Sequence, residues 1–118
     1  MNKFHVIIRI FIKKVTLDEI DVVSTLNVLL GSKIEQFSTE IYHNDSNYVI
    51  FSGLSPIFET SPNNALSIIA NKLGKGWIFT LGDSEQDFSG DAIWNPTDQN
   101  SFVFSDVLFA NLGIYHKD

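Results

Sequence analysis

An alternation of apolar and mixed residues near the N-terminus constrains the fold of this chain more than any other feature. One set of alternate positions is wholly apolar and consists of Phe4, Val6, Ile8, Ile10 and Ile12. The positions between them mix apolar with charged side chains, since Arg9 lies between Ile7 and Phe11. A period of two is typical of a β-strand, so we predict a central strand that buries one face.

The first helix is predicted from a capping pattern that follows this strand. Thr16 and Glu19 have the spacing of a capping box, and Val15 and Ile20 have the spacing of the hydrophobic staple that accompanies it. We therefore expect the helix to begin one residue after Thr16. Gly31 is placed to end the helix, because glycine readily takes the left-handed conformation found there.

The second helix has an equally local signal. Ser61 offers an N-cap oxygen, and Pro62 follows at the first helical position, where its missing N–H costs nothing. Apolar residues then recur at helical spacing as far as Gly74. We expect Gly74 to cap the end of this helix.

Alternation and turn residues predict further strands at residues 33–43, 48–54 and 77–81. The resulting order is strand, helix, strand, strand, helix, strand. This βαββαβ order is typical of a ferredoxin-like α+β fold, in which two split βαβ units form one antiparallel sheet with both helices on one face. We expect the strand at residues 77–81 to belong to the core.

The remainder of the chain is expected to form additional C-terminal β-strands, which either extend the sheet or cover its open face. These strands are predicted at residues 92–95, 102–104 and 107–115. A length of 118 residues and a hydrophobic content of 44% are ordinary for one globular unit. We therefore expect a single domain over residues 1–118.

The net charge of −6 is unevenly distributed along the chain. Residues 1–76 carry equal numbers of acidic and basic side chains, whereas residues 77–116 carry six acids and neither lysine nor arginine. A surface of one sign disfavours nucleic acid and anionic membrane as partners, and it favours a basic protein or a cation. This base-free third is therefore where we expect a partner to bind.

Composition and motifs argue against most catalytic and metal sites. The chain has no cysteine, which removes disulfides, thiolate catalysis and Cys-ligated zinc. Its three histidines lack zinc-site spacing, and the signatures of hydrolases and nucleotide-binding loops are absent. A calcium loop fails because Phe88 stands where glycine is needed and Trp94 where glutamate is needed. We expect no enzyme activity, catalytic residue, cofactor or metal.

Residues 76–96 combine carboxylates with aromatic side chains. Buried aromatic residues supply much of the affinity of protein interfaces, and a field of one sign speeds association with a partner of opposite charge. The predicted partner-binding residues are Asp83, Glu85, Asp87, Phe88, Asp91 and Trp94. The alternative for each is that the aromatic residue belongs to the core and the acid only aids solubility.

The runs WIFTLGD at residues 77–83 and AIWNP at residues 92–96, together with the N-terminal strand and two helices, carry a family resemblance. The chain resembles the small acidic immunity proteins of bacterial contact-dependent growth inhibition and other polymorphic toxin systems. The resemblance implies a cytoplasmic, antitoxin-like inhibitor that binds and neutralises the C-terminal domain of its cognate toxin. That partner is a basic protein, often a nuclease, and the resemblance carries over no site residue.

Two other functions are weighed against this one. A small ferredoxin-like enzymatic or ligand-binding domain would dimerise through its sheet and hold a ligand between sheet and helices, with His5 or Arg9 pointing inward. A nucleic-acid-binding domain would display Ile7, Arg9 and Phe11 on its open sheet face. The second lacks the basic surface that such domains need, and the alternative for these residues is that they pack under the C-terminal strands.

Overall fold

The computed structural model describes residues 3–15, 18–80 and 90–116 of the chain. Within them, two helices and eight strands follow one another. Their order is β1 (Phe4–Lys13), α1 (Glu19–Leu30), β2 (Glu35–Ile41), β3 (Tyr48–Leu54), α2 (Pro62–Leu73), β4 (Gly74–Lys75), β5 (Ile78–Thr80), β6 (Asp91–Trp94), β7 (Ser101–Phe102) and β8 (Val107–His116).

Six of these strands form one antiparallel sheet in the order β2-β3-β1-β8-β6-β5. The strands β4 and β7 pair separately as a small antiparallel ribbon. The fold is therefore α+β, as predicted. β1 lies between β3 and β8, which confirms that the alternating N-terminal stretch is a central strand.

One face of β1 lies in the hydrophobic core. Its apolar set is almost completely inaccessible, with exposed fractions between 0% and 2%, and comprises Phe4, Val6, Ile8, Ile10 and Ile12. Both helices pack on this face, α1 through Val22 and Leu26 and α2 through Leu66 and Ile69. We call this side of the sheet the covered face. Its position agrees with the prediction of two helices on one side.

The helix α1 begins later than predicted, because Asp18 is its N-cap. The Asp18 carboxylate accepts hydrogen bonds from the backbone N–H groups of Ile20, at 3.0 Å, and Asp21, at 3.4 Å. The predicted staple is wrong, since the side chains of Val15 and Ile20 are 87% and 77% exposed. Aspartate caps a helix as well as threonine does, so sequence spacing favours neither cap.

The ends of α2 agree with the prediction. The Ser61 hydroxyl accepts a hydrogen bond from the Asn64 N–H at 3.2 Å, and Pro62 is the first helical residue. Gly74 follows the helix, but its backbone is extended rather than left-handed. Glycine is needed there because a Cβ atom would collide with the backbone carbonyl of Ser101 on β7.

The strand predicted at residues 77–81 is not in the core, which corrects the prediction. The structure describes residues 77–80 of this range. This segment forms the short strand β5 at the edge of the sheet, where Ile78 is 61% exposed. The strand beside β1 is β8, which pairs along nearly the whole of β1 from His116 to Val107. A strand of ten residues offers many more backbone hydrogen bonds than one of three, so β8 takes the central position.

The later strands extend the sheet rather than cover it. β8 pairs with β1 and β6 pairs with β8 in the same sheet, whereas β7 packs on the covered face, where Phe102 contacts Trp94. The alternative in which Ile7, Arg9 and Phe11 pack under the C-terminal strands therefore does not agree with the positions of the described strands. Neither helix in the described part of the chain is long and apolar enough to cross a membrane.

Candidate interaction surface

The structure describes two of the six predicted partner-binding residues, Asp91 and Trp94, and places them on opposite faces of the sheet. Asp83, Glu85, Asp87 and Phe88 lie outside the described residues. Asp91 is the first residue of β6, and its side chain is exposed. Thr80 on β5 pairs with Asp91, so these two residues lie side by side near the edge of the sheet.

Trp94 belongs to the protein's own core and is not a surface anchor. Its side chain is only 4% exposed, and its indole nitrogen donates a hydrogen bond to the Lys75 carbonyl at 2.9 Å. Its ring centroid lies 4.8 Å from that of Phe102. Trp94 faces inward because residues of a strand alternate between faces, and Ala92 shares its side. The prediction of Trp94 as a partner contact therefore does not agree with its position.

The other side of the sheet carries a second set of side chains, which we call the open face. The cross-strand register places Ile93, Asn111, Arg9 and Ser52 in one row. Asp91, Gly113 and Ile7 form the adjacent row, and Phe109, Phe11 and Ile50 form the row beyond Arg9. Arg9 and Asp91 are exposed, and the apolar members are only half-buried. Lys13 on β1 and Glu40 on β2 lie at the margin of this face.

A shallow cavity of about 300 Å³ occupies the middle of the open face. Its walls include the apolar side chains of Ile7, Ile93 and Phe109. Its charged groups are Arg9 and Asp91. Neither forms an ion pair with any residue in the described ranges. The cavity therefore combines apolar walls with one cation and one anion that are both free to meet a partner.

Aromatic contacts order one end of the open face. The Phe11 ring lies edge-on to Phe109, with centroids 5.5 Å apart, and edge-on to Tyr42, with centroids 5.0 Å apart. Edge-to-face packing is a favourable arrangement for such rings. This end of the face is therefore held in a defined shape although water reaches it.

His5 and Arg9, the inward polar groups expected of a ligand-binding domain, do not share a pocket between sheet and helices. His5 is 4% exposed, and its Nδ1 lies 2.6 Å from the Ser55 carbonyl oxygen and 3.7 Å from a Glu35 carboxylate oxygen. The Ser55 hydroxyl in turn accepts a hydrogen bond from the Val6 N–H at 2.8 Å. His5 thus joins β1 to the segment after β3. Arg9 lies on the face that carries no helix.

The basic side chains of the sheet are confined to one half of it. The strands β8, β6 and β5, which form one half of it, contain no lysine or arginine, whereas β1 carries Arg9 and Lys13. The described acids of the base-free third, Asp91, Asp98 and Asp106, are all exposed. Among the residues described, no group of three or more His, Cys, Asp or Glu is placed to hold a metal ion.

Part of this surface was accessible to sequence reasoning and part was not. The alternation of β1 indicates that Ile7, Arg9 and Phe11 share a face. It gives no sign of Asn111 and Phe109, because their position depends on which strand pairs with β1. Comparison with known proteins adds no relative, since no family model, no curated protein and no solved structure matches the chain.

Proposed function

We propose that this chain is an immunity-type protein that binds and neutralises a basic toxin domain, often a nuclease in such systems, in the bacterial cytoplasm. The absence of lysine and arginine from β5, β6 and β8, together with the exposed acids Asp91, Asp98 and Asp106, is the observation that carries the proposal. An acidic surface attracts a basic partner, raises the rate of association and resists association with other acidic molecules.

The contact region of this proposal is the edge of the sheet at β5 and β6. Thr80 and Asp91 are cross-strand partners there, and Asp83, Glu85, Asp87 and Phe88 lie in the connection between them. The acids oppose the basic surface of the toxin, and Phe88 is the apolar anchor. Trp94 is not part of this contact, because it is buried and hydrogen-bonded within the chain.

For the fold we propose a ferredoxin-like origin in which β8 takes the place of the fourth strand. The order β2-β3-β1, with α1 and α2 in the connections, agrees with a split βαβ unit. On this proposal β5 and β6 are additions beyond β8 at the edge of the sheet.

The proposal predicts that the gene immediately upstream encodes a toxin domain, and it is tested by measuring association with that gene's product. The test variant changes Asp83 and Asp87 to Asn and Glu85 to Gln. We expect it to associate about tenfold more slowly at low salt, and to show a weaker salt dependence, because the charges that steer the encounter are gone.

A control variant removes charge from elsewhere on the surface, through Asp21→Asn, Glu40→Gln and Glu59→Gln. All three side chains are exposed and lie outside the base-free third, so this variant should associate at nearly the wild-type rate. The proposal fails if the test variant keeps both the on-rate and the affinity of the wild type. It also fails if the two variants lose the same amount.

A further inference from the structure

The open face is unusually apolar for the exposed side of an antiparallel sheet. Such a side normally alternates with the core and is polar. Here its apolar members come from five strands: Ile7, Phe11, Ile50, Ile78, Ile93 and Phe109. A large exposed apolar patch on the surface of a protein usually marks an interaction site.

The charges of this face nearly balance, unlike those of the chain as a whole. Arg9 and Lys13 are its cations, and its anions are Glu35, Glu40 and Asp91, which leaves a net charge of −1. A surface with little net charge gives neither a basic toxin nor nucleic acid much electrostatic attraction. The edge of the sheet at β5 and β6, with the acids Asp83, Glu85 and Asp87 in the connection, therefore suits a different partner from the open face.

The two charges in the central cavity are arranged to complement a second copy of the same surface. Arg9 and Asp91 are separated by two strand spacings and one row, which corresponds to roughly 12 Å between their backbone positions. Gly113 lies between Ile7 and Asp91 in the register, and no atom lies near the position that a Cβ would occupy there. The surface between the two charges is therefore low enough for another sheet to approach.

We propose that the open face is the interface of a homodimer with two-fold symmetry, in which Arg9 lies against Asp91 of the partner subunit. A two-fold axis between the two positions makes both contacts at once, because in such an interface each contact occurs twice. The apolar side chains around the cavity pack between the two sheets. Asp91 then contacts the partner subunit, and Asp83, Glu85 and Asp87 are left for the toxin. The dimer does not depend on the proposed immunity function.

The test exchanges the signs of the two charges and measures the mass in solution by sedimentation equilibrium over a wide range of concentration. In Arg9→Asp the proposed contact joins two aspartates, and in Asp91→Arg it joins two arginines. We expect each single variant to dimerise at least tenfold more weakly than the wild type. The double variant Arg9→Asp/Asp91→Arg should recover the dimer, because opposite charges again meet.

Mixing the two single variants gives the sharpest result. In a heterodimer of Arg9→Asp with Asp91→Arg, both contacts join an arginine to an aspartate, so two weakly associating proteins should form a dimer when combined. An attraction between Arg9 and Asp91 within one chain predicts no such recovery. Lys72→Asp and Asp98→Arg are matched reversals at exposed positions off the open face, and they should leave dimerisation unchanged.

A wild-type chain that stays monomeric at all concentrations overturns the homodimer. So does a mixture of the two single variants that stays monomeric while each variant melts like the wild type. A monomeric wild type whose Arg9→Asp variant binds the toxin domain differently would assign the open face to the toxin instead.

Discussion

The two faces of β1 both carry large apolar side chains, but they differ in how far those side chains are buried. On the covered face its side chains are at most 2% exposed beneath two helices, whereas on the open face Ile7 and Phe11 stay half-buried and Arg9 is exposed. Both faces carry large apolar residues, so hydrophobicity alone does not say which of them the chain covers. The difference shows that the helices bury one face of the sheet and leave much of the other accessible.

The largest effect that tests this comparison is the truncation of neighbouring isoleucines on the two faces. Ile8 is 0% exposed, so Ile8→Ala should lower the free energy of unfolding by about 2–5 kcal/mol, through lost burial and a cavity. Ile7→Ala removes the same atoms from a half-exposed side chain, so a dilute monomer should lose clearly less. Urea denaturation of both variants measures the difference.

Equal losses for Ile7→Ala and Ile8→Ala in a dilute monomer would contradict the comparison, since they would mean that the open face is covered as fully as the other. A larger loss for Ile7→Ala only at high protein concentration would instead agree with association through the open face. The measurement therefore separates burial within the chain from burial between chains.

The elements that could be predicted from sequence are those specified by neighbouring residues. The alternation of β1, the bounds of β3 at Tyr48–Leu54 and the Ser61-Pro62 start of α2 each depend on a few adjacent positions. Asp18, and not the predicted Thr16, caps the first helix. Both residue types suit an N-cap, so the local sequence does not decide between them. Local signals fix the kind of element more firmly than its first residue.

Strand order could not be predicted, because it depends on pairing between residues far apart in sequence. β8 and β5 both have strand composition, and only the length of pairing with β1 places β8 at the centre. The candidate site inherits this limit. Arg9 could be assigned to a face from its own strand, but its neighbour Asn111 comes from β8 and could not. The burial of Trp94 is subject to the same limit, because its own sequence neighbours give no sign that Lys75 of β4 and Phe102 of β7 contact its ring.

The next effect compares the two tryptophans on the core side of the molecule. Trp94 donates a hydrogen bond to the Lys75 carbonyl, whereas the buried Nε1 of Trp77 has no acceptor among the described residues. Trp94→Phe leaves that carbonyl without its donor and should lower stability by about 1–3 kcal/mol. Trp77→Phe removes a donor that is already unsatisfied, so its cost should be smaller. Thermal or urea unfolding of the two variants ranks them, and a larger loss for Trp77→Phe would show that the hydrogen bond contributes little.

The smallest effect concerns the aromatic contact that orders the open face without full burial. Phe11 and Phe109 meet edge-on at 5.5 Å, and such pairs contribute about 0.5–1.5 kcal/mol beyond the area they bury. A double-mutant cycle with Phe11→Leu and Phe109→Leu, measured where the chain is monomeric, should return a coupling energy in that range. Phe37 stacks instead on Phe51 of β3, so a cycle between Phe37→Leu and Phe109→Leu should be additive.

A coupling near zero for the first pair would mean that the open face has no fixed shape before a partner arrives. The two faces would then differ in what orders them. Packing within the chain would order the covered face, and only association with a partner would order the open face. A positive coupling in the monomer supports the opposite view. The open face is then already formed in the free chain, and a partner subunit binds a surface that does not have to be ordered at further entropic cost.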